Sequence, residues 1–113
     1  MTTSDVFKAL AEDSRREMVS MLSRGPQTAT QLAEPFSMSA SAVSQHLKVL
    51  RDAGLVSVRK AGRYRVYGLE TQPLSDVGEW LRELEVSWNE RLDRLEGVVA
   101  NLMAEREGSD GGE

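Results

Sequence analysis

Phe36-Ser-Met-Ser-Ala-Ser-Ala-Val-Ser-Gln-His-Leu-Lys-Val-Leu-Arg-Asp-Ala-Gly-Leu-Val56 decides the reading of this chain. Val43, Leu47 and Leu50 recur at i, i+4 and i+7, the period of a helix with one buried edge. The other side carries Ser41, Ser44, Gln45 and Lys48, short or slender polar groups with a single charge. A solvated helix of an acidic protein would more often carry Glu and Lys there. A face this small and polar can enter a DNA major groove and still offer hydrogen bonds to base edges and phosphates. Ser39 suits the N-cap and Ala53-Gly54 the stop. The segment Ala40 to Ala53 therefore reads as the recognition helix of a helix-turn-helix.

Working outward, two β-type runs follow, Leu55 to Lys60 and Arg63 to Leu69, joined by Ala61-Gly62 as a hairpin signal. Val56, Val58, Tyr64 and Val66 are expected on the buried face, with Ser57, Arg59, Arg63 and Arg65 on the outer one. An arginine-bearing hairpin directly after a recognition helix reads as the wing of a winged helix. Upstream, Ser4 is a plausible cap for a short helix carrying Val6, Phe7 and Leu10. Asp13 can cap a second helix with Met18, Met21 and Leu22 on its buried edge, ended by Gly25-Pro26. Thr28-Ala-Thr-Gln31 fits a capping box, and Pro35 keeps the third helix short. Downstream, Leu74, Val77, Leu81, Leu84, Trp88, Leu92, Leu95, Val99 and Leu102 form a near-heptad seam with one irregular step at Trp88 to Leu92. A helix that long outreaches a small core, so part of its stripe calls for a partner, most simply a second copy. Gly108 to Glu113 reads as a disordered polar tail.

The 113 residues bound this to one modest core. The expected organisation is a winged helix-turn-helix over 1–70 and a dimerisation helix over 71–107 of the same domain, with the tail at 108–113. The fold class is mainly α with a small β-hairpin. No apolar run is long enough for a membrane and no secretory signal is visible, which makes a cytoplasmic protein the expectation. With no cysteine, thiolate metal sites, disulfides and thiol switches are excluded. The net charge of −4 is unevenly spread. Between Ala40 and Gly68 stand Lys48, Arg51, Arg59, Lys60, Arg63 and Arg65 against Asp52 alone, a local +5 in a chain whose remainder is −9. With a Debye length of roughly 8 Å, a groove-facing patch feels mostly its own charges.

These elements together resemble the ArsR/SmtB family of bacterial transcriptional regulators. The resemblance rests on Ala9-Leu-Ala-Glu-Asp-Ser-Arg-Arg16, Gln31-Leu-Ala-Glu-Pro-Phe-Ser-Met-Ser39, Ala42-Val-Ser-Gln-His-Leu-Lys-Val-Leu50, Ala53-Gly-Leu-Val56 and Gly62-Arg63, and extends to about Leu69. It implies a homodimer held by the first and last helices, with Phe7, Leu81, Leu84, Trp88, Leu92 and Leu95 as interface residues. It also implies repression at a promoter until an inducer, here an unknown small molecule, lowers the affinity. The family's thiolate site would need cysteines near Gln31 to Ala33, and its last-helix site would need histidines, whereas the only histidine is His46. Asp76, Glu79, Glu83 and Glu85 suit zinc poorly. No metal and no cofactor are expected.

The expected DNA-binding residues are Ser39, Ser41, Ser44, Gln45, His46, Lys48, Arg59, Lys60, Arg63 and Arg65. Gln45 can pair bidentately with adenine, while the serines hold phosphate. For His46 two readings stand side by side: a role near phosphate, implied by the resemblance, and a hydrogen bond between helices. Arg15 and Arg16 are either structural or phosphate-facing. Trp80 and Trp88 read as core or dimer contacts, with a ligand-pocket wall as the lesser reading. The partners are then an inverted-repeat operator in double-stranded DNA and a second copy of the chain. The alternative is a winged-helix protein-interaction module, which the acidic total charge favours and the wing arginines oppose. An enzyme is not expected, because no phosphate loop or nucleophile–base pair is visible.

Overall fold

In a computed structural model, the backbone of residues 2–111 and the side chains of residues 2–106 are described. The elements are α1 (Thr3–Leu10), α2 (Asp13–Leu22), β1 (Gln27–Thr28), α3 (Ala29–Ala33), α4 (Ala40–Asp52), β2 (Val56–Ala61), β3 (Tyr64–Leu69) and α5 (Gln72–Gly111). Contacts divide the chain after Val77 into two units, the first holding α1 to β3 with the opening turns of α5. Val77 is buried in the core of that unit, and Leu74 packs against it.

The starts and stops follow local chemistry. Thr2 caps α1 in a capping box with Asp5, which moves the start back from the expected Ser4. Reciprocal bonding satisfies two orphan backbone donors, more than a lone serine cap can offer. Glu12, not Asp13, caps α2, its carboxylate accepting from the Arg15 N–H at 3.0 Å. Thr28 and Gln31 form the expected capping box of α3, which stops at Ala33, two residues before Pro35. Ser39 caps α4 as expected, accepting from the Ala42 N–H at 3.1 Å.

The end of α4 is a Schellman motif. Leu55 N–H donates to the Leu50 carbonyl at 2.9 Å and Gly54 N–H to that of Arg51 at 3.0 Å. Gly54 takes φ 79, a left-handed angle that costs a residue with Cβ about 1–2 kcal/mol. Leu50 and Leu55, the two positions that a hydrophobic contact frequently joins in this motif, are both fully buried in the core. The chain is thereby turned into the wing.

The wing differs from the expected hairpin by its turn. The loop is Gly62-Arg63 rather than Ala61-Gly62, with Gly62 at φ 63 and Arg63 at negative φ, the signs of a type II′ turn. Val56 pairs with Leu69 and Val58 with Tyr67, so these four share a face. Tyr67 is buried and Tyr64, expected inside, is 52% exposed. A two-residue hairpin pairs even positions of β2 with odd positions of β3 at either turn, so Val56 and Val58 share their face with Tyr67, and Tyr64 falls on the face of Arg59. A further strand, β1, was not foreseen; its two residues pair with β3 and give the order β1-β3-β2.

Met18, Leu32, Leu47, Leu50 and Leu55 are the largest fully buried side chains, drawn from α2, α3, α4 and the segment after it. In the second unit α5 continues to Gly111, past Gly108 where the composition placed the tail. Extending an existing helix costs far less than nucleating one. Residues 112 and 113 of that expected tail, and the side chains from 107 onward, lie outside the described residues.

Leu50→Ala should lower unfolding free energy by roughly 2–5 kcal/mol, the cost of a buried leucine and its cavity. The adjacent Val49→Ala, at a position 40% exposed, should cost well under half of that. Urea denaturation of both variants checks the contrast.

Candidate nucleic-acid interface

On α4 the helical period sorts the side chains as the sequence suggested. Val43, Leu47 and Leu50 are buried, while Ser41, Ser44, Gln45 and Lys48 are exposed. No side-chain hydrogen bond within the described residues engages those four, so their donors and acceptors face water. The Ser39 hydroxyl is occupied as an acceptor by its cap bond and keeps its proton for another partner.

Arg59, Lys60, Arg63 and Arg65 are all exposed on the wing, but they do not share one face. Arg59 pairs with Val66 and Lys60 with Arg65, which puts Lys60 and Arg65 on one face of the hairpin and Arg59 on the other. The expectation of a single arginine face is corrected by the same cross-strand pairing that leaves Tyr64 outside: same-parity positions on the two strands fall on opposite faces. Arg63 sits at the tip, its guanidinium 5.6 Å from the centre of the Tyr64 ring. That contact leaves the guanidinium edge free to donate. Tyr64 was not foreseen as part of this surface; its place next to Gly62-Arg63 was the available signal.

His46 stands apart from the exposed polar set. One residue is a turn of about 100° around a helix, so His46 points well away from Gln45, onto α2. Its Nδ1 lies 3.3 Å from Arg15 Nη1 and 3.7 Å from Glu12 Oε2. Arg15 also donates from Nε to the Ala9 carbonyl at 2.6 Å and from Nη2 to that of Lys8 at 3.1 Å. The inter-helix reading of His46 is thus the one its Nδ1 satisfies, and Arg15 takes the structural role. Arg16 is structural too, donating to the Leu10 carbonyl and pairing with Asp13.

Partial burial pushes the Glu12 carboxyl upward, but the N–H groups of Arg15 and Ser14 and the nearness of His46 and Arg15 outweigh it, leaving it below its ordinary value. Among the described residues no three His, Cys, Asp or Glu side chains gather into a possible metal cluster. No helix there is long and apolar enough to cross a membrane.

Comparison with known proteins meets this geometry. Residues 12–58 match the model of the bacterial regulatory protein arsR family. The chain is 35% identical to the transcriptional repressor SdpR of Bacillus subtilis (strain 168) over 69% of its own length and 87% of that protein's. It is 36% identical to the arsenical resistance operon repressor of Staphylococcus aureus, over 74% and 81% respectively. The solved ArsR-like transcriptional regulator from Rhodococcus sp. RHA1 superposes with a TM-score of 0.71 at 30% identity, over 85% of this chain and 91% of that one.

This chain belongs to the ArsR family. It is a DNA-binding transcriptional regulator with a winged helix-turn-helix, and not an enzyme. That assignment favours DNA-binding regulation over the protein-interaction module as the chain's function. Within the matched 12–58 lie α2 to the start of β2, including Glu12, Arg15 and all of α4.

The depressed Glu12 carboxyl predicts a pH signature. A group whose folded value lies below its unfolded one stabilises the fold when ionised, and that contribution is lost as pH falls through the carboxylate range. The parent should therefore be more stable than Glu12→Gln at pH 7, and the gap should close on acidification. Urea midpoints of the two at neutral and acidic pH measure it; a gap that widens in acid would contradict the assigned cap.

Proposed function

We propose that this regulator is a homodimeric repressor that binds an inverted-repeat operator and blocks the promoter beneath it. The observation that carries this reading is the exposed Ser41, Ser44, Gln45 and Lys48 face of α4, followed in sequence by a wing bearing Arg59, Lys60, Arg63 and Arg65. In this reading Gln45 reads base edges, the serines and Lys48 hold phosphate, and the wing tracks a neighbouring backbone. The acidic remainder of the chain restrains non-specific binding, so that the basic region sets the register. SdpR and the Staphylococcus aureus protein are both named repressors, which favours repression over activation. Such a protein acts where the chromosome is, in the cytoplasm.

The dimer rests on α5. Leu81, Leu84, Trp88 and Leu95 are each about half exposed or more, with Trp88 at 62%, and Leu92 is half-buried. A run of large apolar groups along one helix is surface that a second α5 would cover. Phe7, 39% exposed on α1, is the expected contribution of the first helix. Two recognition helices related by a two-fold then address half-sites about one helical turn apart. A small-molecule inducer would act by favouring a dimer geometry that does not fit that spacing.

Anisotropy binding to the DNA upstream of its own gene, against a scrambled competitor at two salt concentrations, tests the reading. Strong preference for the upstream fragment with a steep salt slope is expected. Gln45→Ala should cost roughly 1–3 kcal/mol on the operator and little on random DNA. Lys48→Ala should weaken both and flatten the salt slope by about one unit. Equal losses on random DNA would remove Gln45 from base reading.

Trp88→Ala and Leu92→Ala should shift the chain toward monomer in sedimentation and lower operator affinity in parallel. Dimers that persist on dilution in both variants would place the interface elsewhere.

A further inference from the structure

The Arg15 guanidinium spends its donors on three targets at once: the Lys8 and Ala9 carbonyls at the end of α1 and the His46 ring on α4. Guanidinium has N–H groups and no acceptor, and it stays protonated. Where Arg15 Nη1 meets His46 Nδ1 at 3.3 Å, Nδ1 must therefore accept. In the neutral ring the proton is then on Nε2. Glu12 Oε2, at 3.7 Å from the same nitrogen, is beyond hydrogen-bond distance and competes for the opposite arrangement, with the proton on Nδ1. The charged groups recorded at the ring are Arg15 of α2 and Glu12, the cap of that helix; α1 contributes carbonyls to Arg15 only. Among the described residues no buried side-chain nitrogen or oxygen lacks a partner. Nε2, which makes no bond there, is thus open to water.

We infer that Arg15 is a positioning residue for DNA reading: it holds α4 against the α1–α2 corner through His46 and fixes that ring as the Nε2–H tautomer. The consequence for function rests on the proposed operator binding. What Arg15 sets is the angle at which Gln45 and Lys48 are presented, so its loss should be felt on the operator far more than on random DNA.

The chain has one histidine, so its ring nitrogens give one unambiguous signal pair in long-range 1H–15N spectra. In the full-length parent at pH 8.5, above the ordinary imidazole value of about 6.5, the expected signature is an unprotonated Nδ1 with a protonated Nε2. A ring protonated on Nδ1, or averaged between the two forms, overturns the assignment.

Two substitutions then separate positioning from direct phosphate contact. The side-chain carbonyl of His46→Asn reaches about as far as Nδ1 and can still accept from Arg15, so operator affinity should stay within about twofold. His46→Leu removes the acceptor and should lose roughly tenfold on the operator, the worth of one charged hydrogen bond, with little change on random DNA. If Asn is as damaging as Leu and random DNA suffers equally, His46 acts on phosphate and the positioning role falls. Arg15→Met, added to His46→Leu, should cost less operator affinity than it does in the parent. A parent with no operator preference would defeat the proposed function instead. The inference would then be decided by the ring tautomer and by amide exchange in α4, which His46→Leu should quicken by roughly tenfold; unchanged exchange would overturn it.

Discussion

One short helix has to be core on one side and reading surface on the other, and the first unit depends on how α4 meets that demand. Val43, Leu47 and Leu50 commit one edge to the interior, which fixes the rotation of the helix about its axis. The exposed positions then follow from the 3.6-residue period, so that burying three aliphatic side chains also aims Gln45 and Lys48 outward. The Schellman stop couples this to the wing. Leu50 and Leu55 are buried together, Gly54 supplies the left-handed turn, and Leu55 passes its carbonyl to Glu70 N–H at 2.8 Å, which holds the far end of the hairpin. A cavity at Leu50 would thus loosen both reading elements at once.

Rotation about the axis leaves the tilt of α4 to be set, and apolar packing is poorly suited to that task because it is non-directional. Directional contacts are found where the helix borders α2. The Arg15 fork has a fixed planar geometry, and with two backbone carbonyls and an imidazole as targets it has little freedom to rearrange. At the other end of α4 the Ser39 cap fixes where the helix begins. Hydrophobic burial supplies the stability, and a few polar contacts supply the angle. A surface that must match a groove to within a hydrogen bond needs both.

Much of this was legible in the chain because it is local. The stripe of α4, the stop at Gly54, the Thr28–Gln31 box and the short α3 before Pro35 each depend on residues within one or two turns of each other. The errors arose where the deciding contact is either degenerate or distant. Thr2, Thr3 and Ser4 are all competent caps, and only the partnership with Asp5 selects Thr2. The hairpin turn could be placed at Ala61-Gly62 or Gly62-Arg63, yet either two-residue loop pairs Val58 with an odd-numbered residue of β3, so Tyr67 and not Tyr64 shares its face, and the expected inside set misread that pairing. Strand β1 is two residues long and exists only because β3 offers its edge. In the candidate site, the exposed face of α4 was readable. The bond from His46 to Arg15 was not, since 31 residues separate them.

The two units also differ in what stabilises them. The first buries its large aliphatic groups within one chain. From Gly78 onward, α5 carries Leu81, Leu84, Trp88, Leu95 and Leu102 about half exposed or more, and an isolated helix in water gains little from its own backbone. On the dimer reading, that stretch is stabilised by its partner, so its order depends on protein concentration by mass action. DNA that binds only the dimer would then stabilise α5 without touching it, and reciprocally, anything that alters packing along α5 would change operator affinity. Linkage of this kind requires no path of shared contacts between operator and helix: it follows whenever dimerisation and DNA binding select the same assembled state.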